Sequence, residues 1–237
     1  RRSLTDFFNS PTYQQYNHRV FQNTVVTDLN ANTPSNIESN KRFYFYDMTF
    51  HYVQKIGNRH ELSLDAITIR NTLGIDQYKT DAEKFSRWGQ ENLGTAFSWK
   101  SQWNKGHYTQ LNLSSSYYKL NAFNESVTNN QITNQSNSVL NFGLQIKNSY
   151  QFSKSWTLNN GYSLDEIGVT NADNINEPAF SRNIKNVSLN HAVITEFEYK
   201  PQSNKTRLTL GGRVNYFGKT QLLFVEPRFF WQQSLTD

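Results

Sequence analysis

The stretch Val139-Leu140-Asn141-Phe142-Gly143-Leu144-Gln145-Ile146-Lys147-Asn148-Ser149-Tyr150-Gln151-Phe152 decides the fold. Leu140, Phe142, Leu144, Ile146, Tyr150 and Phe152 share one parity, broken only by Asn148, while Asn141, Gly143, Gln145, Lys147, Ser149 and Gln151 fill the other. A period of two is the repeat of a strand, whose successive side chains point to opposite faces. The segment reads as one long amphipathic strand. After Ser153-Lys154-Ser155 the pattern resumes with Trp156, Leu158, Tyr162 and Leu164 against Thr157, Asn159, Gly161 and Ser163, so the two form a hairpin.

The unit recurs on both sides. Leu93, Phe97, Trp99 and Trp103 lead through Asn104-Lys105-Gly106 to Leu111, Leu113 and Tyr117, with polar residues on the other parity. Val187, Leu189, Val193, Phe197 and Tyr199 lead through Pro201-Gln202-Ser203-Asn204 to Leu208, Leu210, Val214 and Tyr216. Earlier, Tyr44, Tyr46, Met48, Phe50 and Tyr52 lead through Gly57-Asn58 to Leu62, Leu64 and Ala66. With a first strand from Arg1 to Phe8 and a last from Leu222 to Leu235, the count is about ten strands, of the size that barrels use.

Connection lengths alternate. Breaks near Gly57, Gly106, Ser153 and Ser203 are tight turns, whereas Asn9 to Asn40, Asp76 to Gln90, Asn121 to Asn137 and Gly168 to Asn183 read as long polar loops, with a short helix expected over Asp81 to Arg87. The short Gly218-Lys219-Thr220 link departs from the rule. Short turns at one end and long loops at the other are the pattern of outer-membrane barrels. Tyr52, Trp103, Tyr150, Phe152, Trp156 and Tyr199 cluster near the tight turns like an interfacial girdle, although aromatics are also simply frequent in strands. The polar parity carries Lys147, Glu196, Glu198, Arg207 and Arg213, which a small packed interior would not hold unpaired, so the lumen is expected to be wide or filled by another polar body.

Composition narrows the classes. Of 237 residues, 36% are hydrophobic and 18% charged, yet aromatics reach 15%, which disfavours disorder. No run of about 18 apolar residues exists, which removes a transmembrane helix but not a β-barrel. There is no cysteine for a thiolate site. The net charge of +5 is dispersed, so no nucleic-acid partner is expected. The chain opens on Arg1-Arg2 without a leader pattern, which reads as a mature or trimmed product, or an internal piece.

The opening Arg1-Arg2-Ser3-Leu4-Thr5-Asp6-Phe7-Phe8, the run Phe43-Tyr44-Phe45-Tyr46-Asp47-Met48-Thr49 and Glu61-Leu62-Ser63-Leu64 resemble the first barrel strands of TonB-dependent outer-membrane receptors. Phe224-Val225-Glu226-Pro227-Arg228-Phe229 is similar to a later barrel strand of that family. The resemblance implies an all-β, antiparallel transmembrane β-barrel with long extracellular loops, of roughly 22 strands and occluded by a plug. It also implies uptake of a scarce nutrient (siderophore, vitamin, glycan or peptide) with energy relayed through TonB. Residues 1–237 would then be a portion of one barrel domain, with the plug and remaining strands elsewhere. The partners it implies are outer-membrane lipid, those strands and plug, TonB through the plug, and a surface lipoprotein.

Little suggests an enzyme. His18, His51, His60, His107 and His191 have no metal spacing, no GxSxG is present, and no cofactor or metal is expected. Glu196 and Glu198 share a face as a glycosidase pair would, but two lumen carboxylates beside Arg207 and Arg213 is the favoured reading. The ligand-binding candidates are Tyr13, Tyr16, His18 and Arg19 in the first loop, Tyr78, Arg87 and Trp88 in the second, and Glu196, Glu198, Arg207 and Arg213 on the polar parity; the loop aromatics would serve equally to pack loops together. Two alternatives stay open: another outer-membrane barrel, such as a porin-like channel or a structural scaffold of a surface complex, and a soluble β-rich carbohydrate-binding or adhesin module.

Overall fold

Period-two segments form nine strands in the computed structural model, which describes residues 38–79, 82–202 and 205–234. They are β1 Glu38–Ile56, β2 His60–Lys79, β3 Ala82–Asn104, β4 His107–Ser126, β5 Gln131–Gln151, β6 Trp156–Ile175, β7 Phe180–Tyr199, β8 Thr206–Phe217 and β9 Leu222–Gln233. All lie in one antiparallel sheet in chain order, and no helix occurs among the described residues. The expected strand at Arg1 to Phe8 lies outside those residues. Among the described residues the sheet is open, with β1 and β9 as its edges, as expected of a segment of a larger barrel wall.

Register sorts the side chains onto two faces. Phe50 pairs with Ala66, Leu64 with Phe97, Phe97 with Leu113, and Leu113 with Leu144. The row continues from Leu144 to Leu164, and beyond it Phe197 faces Leu210, which faces Phe229. One face is therefore apolar across every strand, over runs of about ten residues starting at the tight turns, enough to cross a bilayer at the usual tilt. It is uncovered: Met48 is 64% exposed, Leu210 60% and Phe229 70%, and Ala192, at 4%, is the only buried hydrophobic residue among those described. Asn148, which interrupts the apolar parity, lies on this face near the turns and bonds His107 Nε2 at 3.0 Å and Thr109 Oγ1 at 3.1 Å.

The long polar loops are corrected. Among the described residues the stretches read as Asp76 to Gln90, Asn121 to Asn137 and Gly168 to Asn183 are mostly paired strand, with β2 running to Lys79, β4 to Ser126 and β6 to Ile175. Residues 82–87, expected as helix, open β3. Above the apolar band neither face is apolar, so side-chain alternation vanishes while the backbone ladder goes on. Polar groups support it there: Ser136 Oγ donates to Asn121 Oδ1 at 2.8 Å, Gln135 Nε2 to Asp173 Oδ1 at 3.2 Å, and Asn176 Nδ2 to the Asn130 carbonyl at 2.9 Å. The two ends thus differ in how far hairpins project past the apolar band, not in connection length. The short link at Gly218 is real and closes the shorter β8–β9 hairpin, so β8 pairs with β7 only over Asn190–Tyr199.

One glycine is required by space. A Cβ at Gly211 would stand 2.3 Å from the Thr195 carbonyl oxygen and 2.7 Å from the Glu196 Cα, whereas one at Gly143 would meet only the Ser114 hydroxyl, at 2.7 Å. At Gly89 nothing lies within 4 Å. Gly211→Ala should therefore lower stability by about 1–3 kcal/mol, measured as a shift of the denaturation midpoint. Gly89→Ala should stay within about 0.5 kcal/mol; equal effects would contradict the close approach of β7 and β8.

Candidate functional site

The face opposite the apolar band is built from the polar parity. On β1–β4, His51 Nδ1 meets Asp65 Oδ1 at 2.5 Å and Lys100 Nζ meets Glu61 Oε1 at 2.9 Å. A relay follows: Tyr108 Oη donates to Gln110 Oε1 at 3.1 Å, Gln110 Nε2 to Asn112 Oδ1 at 3.0 Å, and Asn112 Nδ2 to Gln145 Oε1 at 3.3 Å. On β7–β9, Arg207 Nη2 meets Glu198 Oε2 at 2.9 Å, and Arg228 bridges Glu196 at 3.3 Å and Glu226 at 3.9 Å. Arg213 Nε donates to Asn215 Oδ1 at 2.7 Å, and Asn215 Nδ2 to Glu226 Oε1 at 2.7 Å.

Small residues leave room between these groups. A trough of about 330 Å³ is lined by Asn112, Gln145, Lys147, Ser163, Asp165 and Arg213. It shares Ser114 with a second trough of about 500 Å³ that runs past His51, Asp65, Gly94 and Asn141. Both signs of charge, carboxamides and hydroxyls thus reach open space, beside apolar wall that includes Ile67, Ala96 and Ile194. Such a surface suits a polar ligand or a polar protein body.

The sequence candidates divide three ways. Glu196, Glu198 and Arg207 lie on this face, where Arg207 pairs with Glu198. Arg213 is on the same face but bonds Asn215 rather than either glutamate; the partner of Glu196 is Arg228. Arg87 and Trp88 are strand residues of β3, not loop residues. Arg87 lies on the face of the apolar band, where it pairs with the buried Asp76 across Gly74. Both line a groove of about 560 Å³ above the band, together with Arg70, Glu91, Phe123 and Arg182. Tyr78 belongs to β2, and Tyr13, Tyr16, His18 and Arg19 lie outside the described residues.

Sequence reasoning missed Lys147 and Asp165 as trough residues and Glu226 and Arg228 as partners. The signal for the last two was present in Glu226-Pro227-Arg228, but β9 carries Phe224 and Phe230 on the same parity, so no alternation marks the face.

No family model matches the chain, and no curated protein is similar to it in sequence. Solved structures are similar in shape. The ferric yersiniabactin uptake receptor from Yersinia pestis is 7% identical at a TM-score of 0.44, with 77% of this chain and 37% of that one covered. The outer membrane transporter YddB from Escherichia coli is 8% identical at 0.46, with 83% and 36% covered. The ferric preacinetobactin receptor from Acinetobacter baumannii is 8% identical at 0.39, with 81% and 43% covered. The chain spans about two fifths of the length of these proteins.

Because the ion pairs of the polar face are part-exposed, a double-mutant cycle on Glu198→Gln and Arg207→Gln should give a coupling of about 0.2–1 kcal/mol, shrinking as salt rises. A coupling of several kcal/mol insensitive to salt would contradict a water-wet face.

Proposed function

We propose that this chain is part of the wall of a TonB-dependent outer-membrane receptor that takes up a scarce nutrient, a transporter rather than an enzyme. The uncovered apolar face carries the reading. A contiguous apolar surface on this scale marks contact with lipid or protein, and alternating runs of about ten residues per strand match the hydrocarbon thickness. In hydrocarbon the edges β1 and β9 would need partners, since an unpaired backbone group there costs several kcal/mol. Residues 1–237 are thus one portion of a larger barrel domain, whose polar face looks into a lumen occupied by a plug that TonB moves. Tall polar hairpins receive the ligand outside, with Arg87 and Trp88 on their flank; the lumen-facing Lys147, Asp165, Glu196, Glu198, Arg207 and Arg213 offer charges of both signs to a polar solute as it passes.

A porin-like channel shares the exposed face but needs no energy. Growth on a limiting nutrient separates the two. Cells lacking the protein should fail to the same extent as cells lacking inner-membrane energy coupling, with no further loss when both are removed. Uptake that persists without energy coupling would favour the channel, and release of the protein from membranes by salt alone would favour a soluble module.

A further inference from the structure

Four of the connections at the end next to the apolar band carry an exposed cation: Arg59 between β1 and β2, Lys105 between β3 and β4, Lys154 between β5 and β6, and Lys200 after β7, on a link that also carries Lys205, which is already engaged within the chain. Each is within two residues of a ring on the apolar face: His60, Trp103 and His107, Trp156, and Tyr199 respectively. Those rings form near-continuous rows. His60 lies 5.6 Å from Trp103, Trp103 5.9 Å from Trp99 and 6.3 Å from His107, His107 5.7 Å from Tyr150, and Trp156 4.9 Å from Tyr199. On the same rim Trp103 Nε1 donates to Thr109 Oγ1 at 3.0 Å, whereas His60 Nδ1 is buried without a hydrogen-bond partner.

Carboxylates do not answer these cations. The described residues of the four connections contain no Asp or Glu. The nearest acids, Glu61 and Glu198, are on the opposite face and held by Lys100 and Arg207. The far end of the sheet differs: residues 127–130 are uncharged, residues 176–179 contain Glu177, and Lys219 bonds Asn186 at 3.3 Å. Successive connections on one rim are two strands, or about 10 Å, apart. That is roughly one screening length at 0.1 M salt, so at most neighbouring cations feel one another and each is free to meet its own headgroup phosphate.

We propose that this rim is a docking surface for anionic phospholipid headgroups, with the aromatic row at headgroup depth and the four cations holding lipid phosphates. The inference rests on the membrane reading above. Aromatic rings with one apolar and one wet end settle at that depth, and long basic side chains beside apolar surface extend their charge to it. An acidic cell-wall polymer would use the cations but give the rings no role, which is why lipid is favoured.

The test uses the purified full-length protein in phosphatidylcholine vesicles containing trace spin-labelled phosphatidylglycerol or phosphatidylcholine. Phosphatidylglycerol should associate about two- to five-fold more strongly. The preference should fall to parity in the combined variant Arg59→Gln, Lys105→Gln, Lys154→Gln and Lys200→Gln, whose sites are exposed and whose insertion should be unchanged. Lys147→Gln, which removes a cation from the opposite face, should leave it intact. An unselective wild type, a combined variant that keeps the preference, or a Lys147→Gln protein that loses it overturns the proposal. So does binding to isolated peptidoglycan sacculi that the combined variant loses, with no lipid preference. Failure to insert into either lipid would instead remove the membrane reading itself.

Discussion

Among the described residues the sheet has no interior. Nine strands lie edge to edge, and no second layer among those residues covers the large apolar side chains of one face. An ordinary domain gains its stability by removing such surface from water, and here that surface stays outside. What the chain supplies alone is a backbone ladder from β1 to β9 and a strict division of side chains between two environments. Every other feature follows from that division, including the glycine that lets two strands approach, the polar pairs that tolerate water, and the aromatic row that marks the boundary.

The division also orders the charges. Over the height of the band, charged groups collect on the opposite face, and some are answered there by oppositely charged neighbours on the next strand, as with Glu61 and Lys100 or Glu198 and Arg207. Above the band the apolar face itself turns polar, and Arg70 meets Glu91 at 3.2 Å on it. That change of character, on the same parity of the same strands, locates the edge of the apolar environment without reference to any loop. On the proposed reading the taller hairpins stand outside the cell and the tight, basic connections face the periplasm.

Sequence alone made the lower half of this sheet legible, because there one face is apolar and the other wet, so Leu140 to Tyr150 or Val187 to Tyr199 declare their pairing by parity. The upper half was opaque for the converse reason. From Asp76 to Gln90 both faces are polar, and backbone pairing leaves no trace in side-chain chemistry, so strand was read as loop and helix. β9 fails in the opposite way, with apolar residues on both parities. Of the candidate site, the shared face of Glu196, Glu198, Arg207 and Arg213 was legible from parity, whereas their pairing needs the register: Glu198 stands opposite Thr209 and meets Arg207 diagonally, and Glu196 reaches Arg228 across β8.

The partition is most directly measured by spin labels placed one at a time from position 140 to position 151, which the absence of cysteine makes clean. In reconstituted bilayers the account predicts period-two accessibility, with even positions of the band open to oxygen and odd positions open to a water-soluble paramagnetic complex. Even positions shielded from both reagents would mean that Leu140, Phe142 and Ile146 pack inside a protein core, and the account would be wrong.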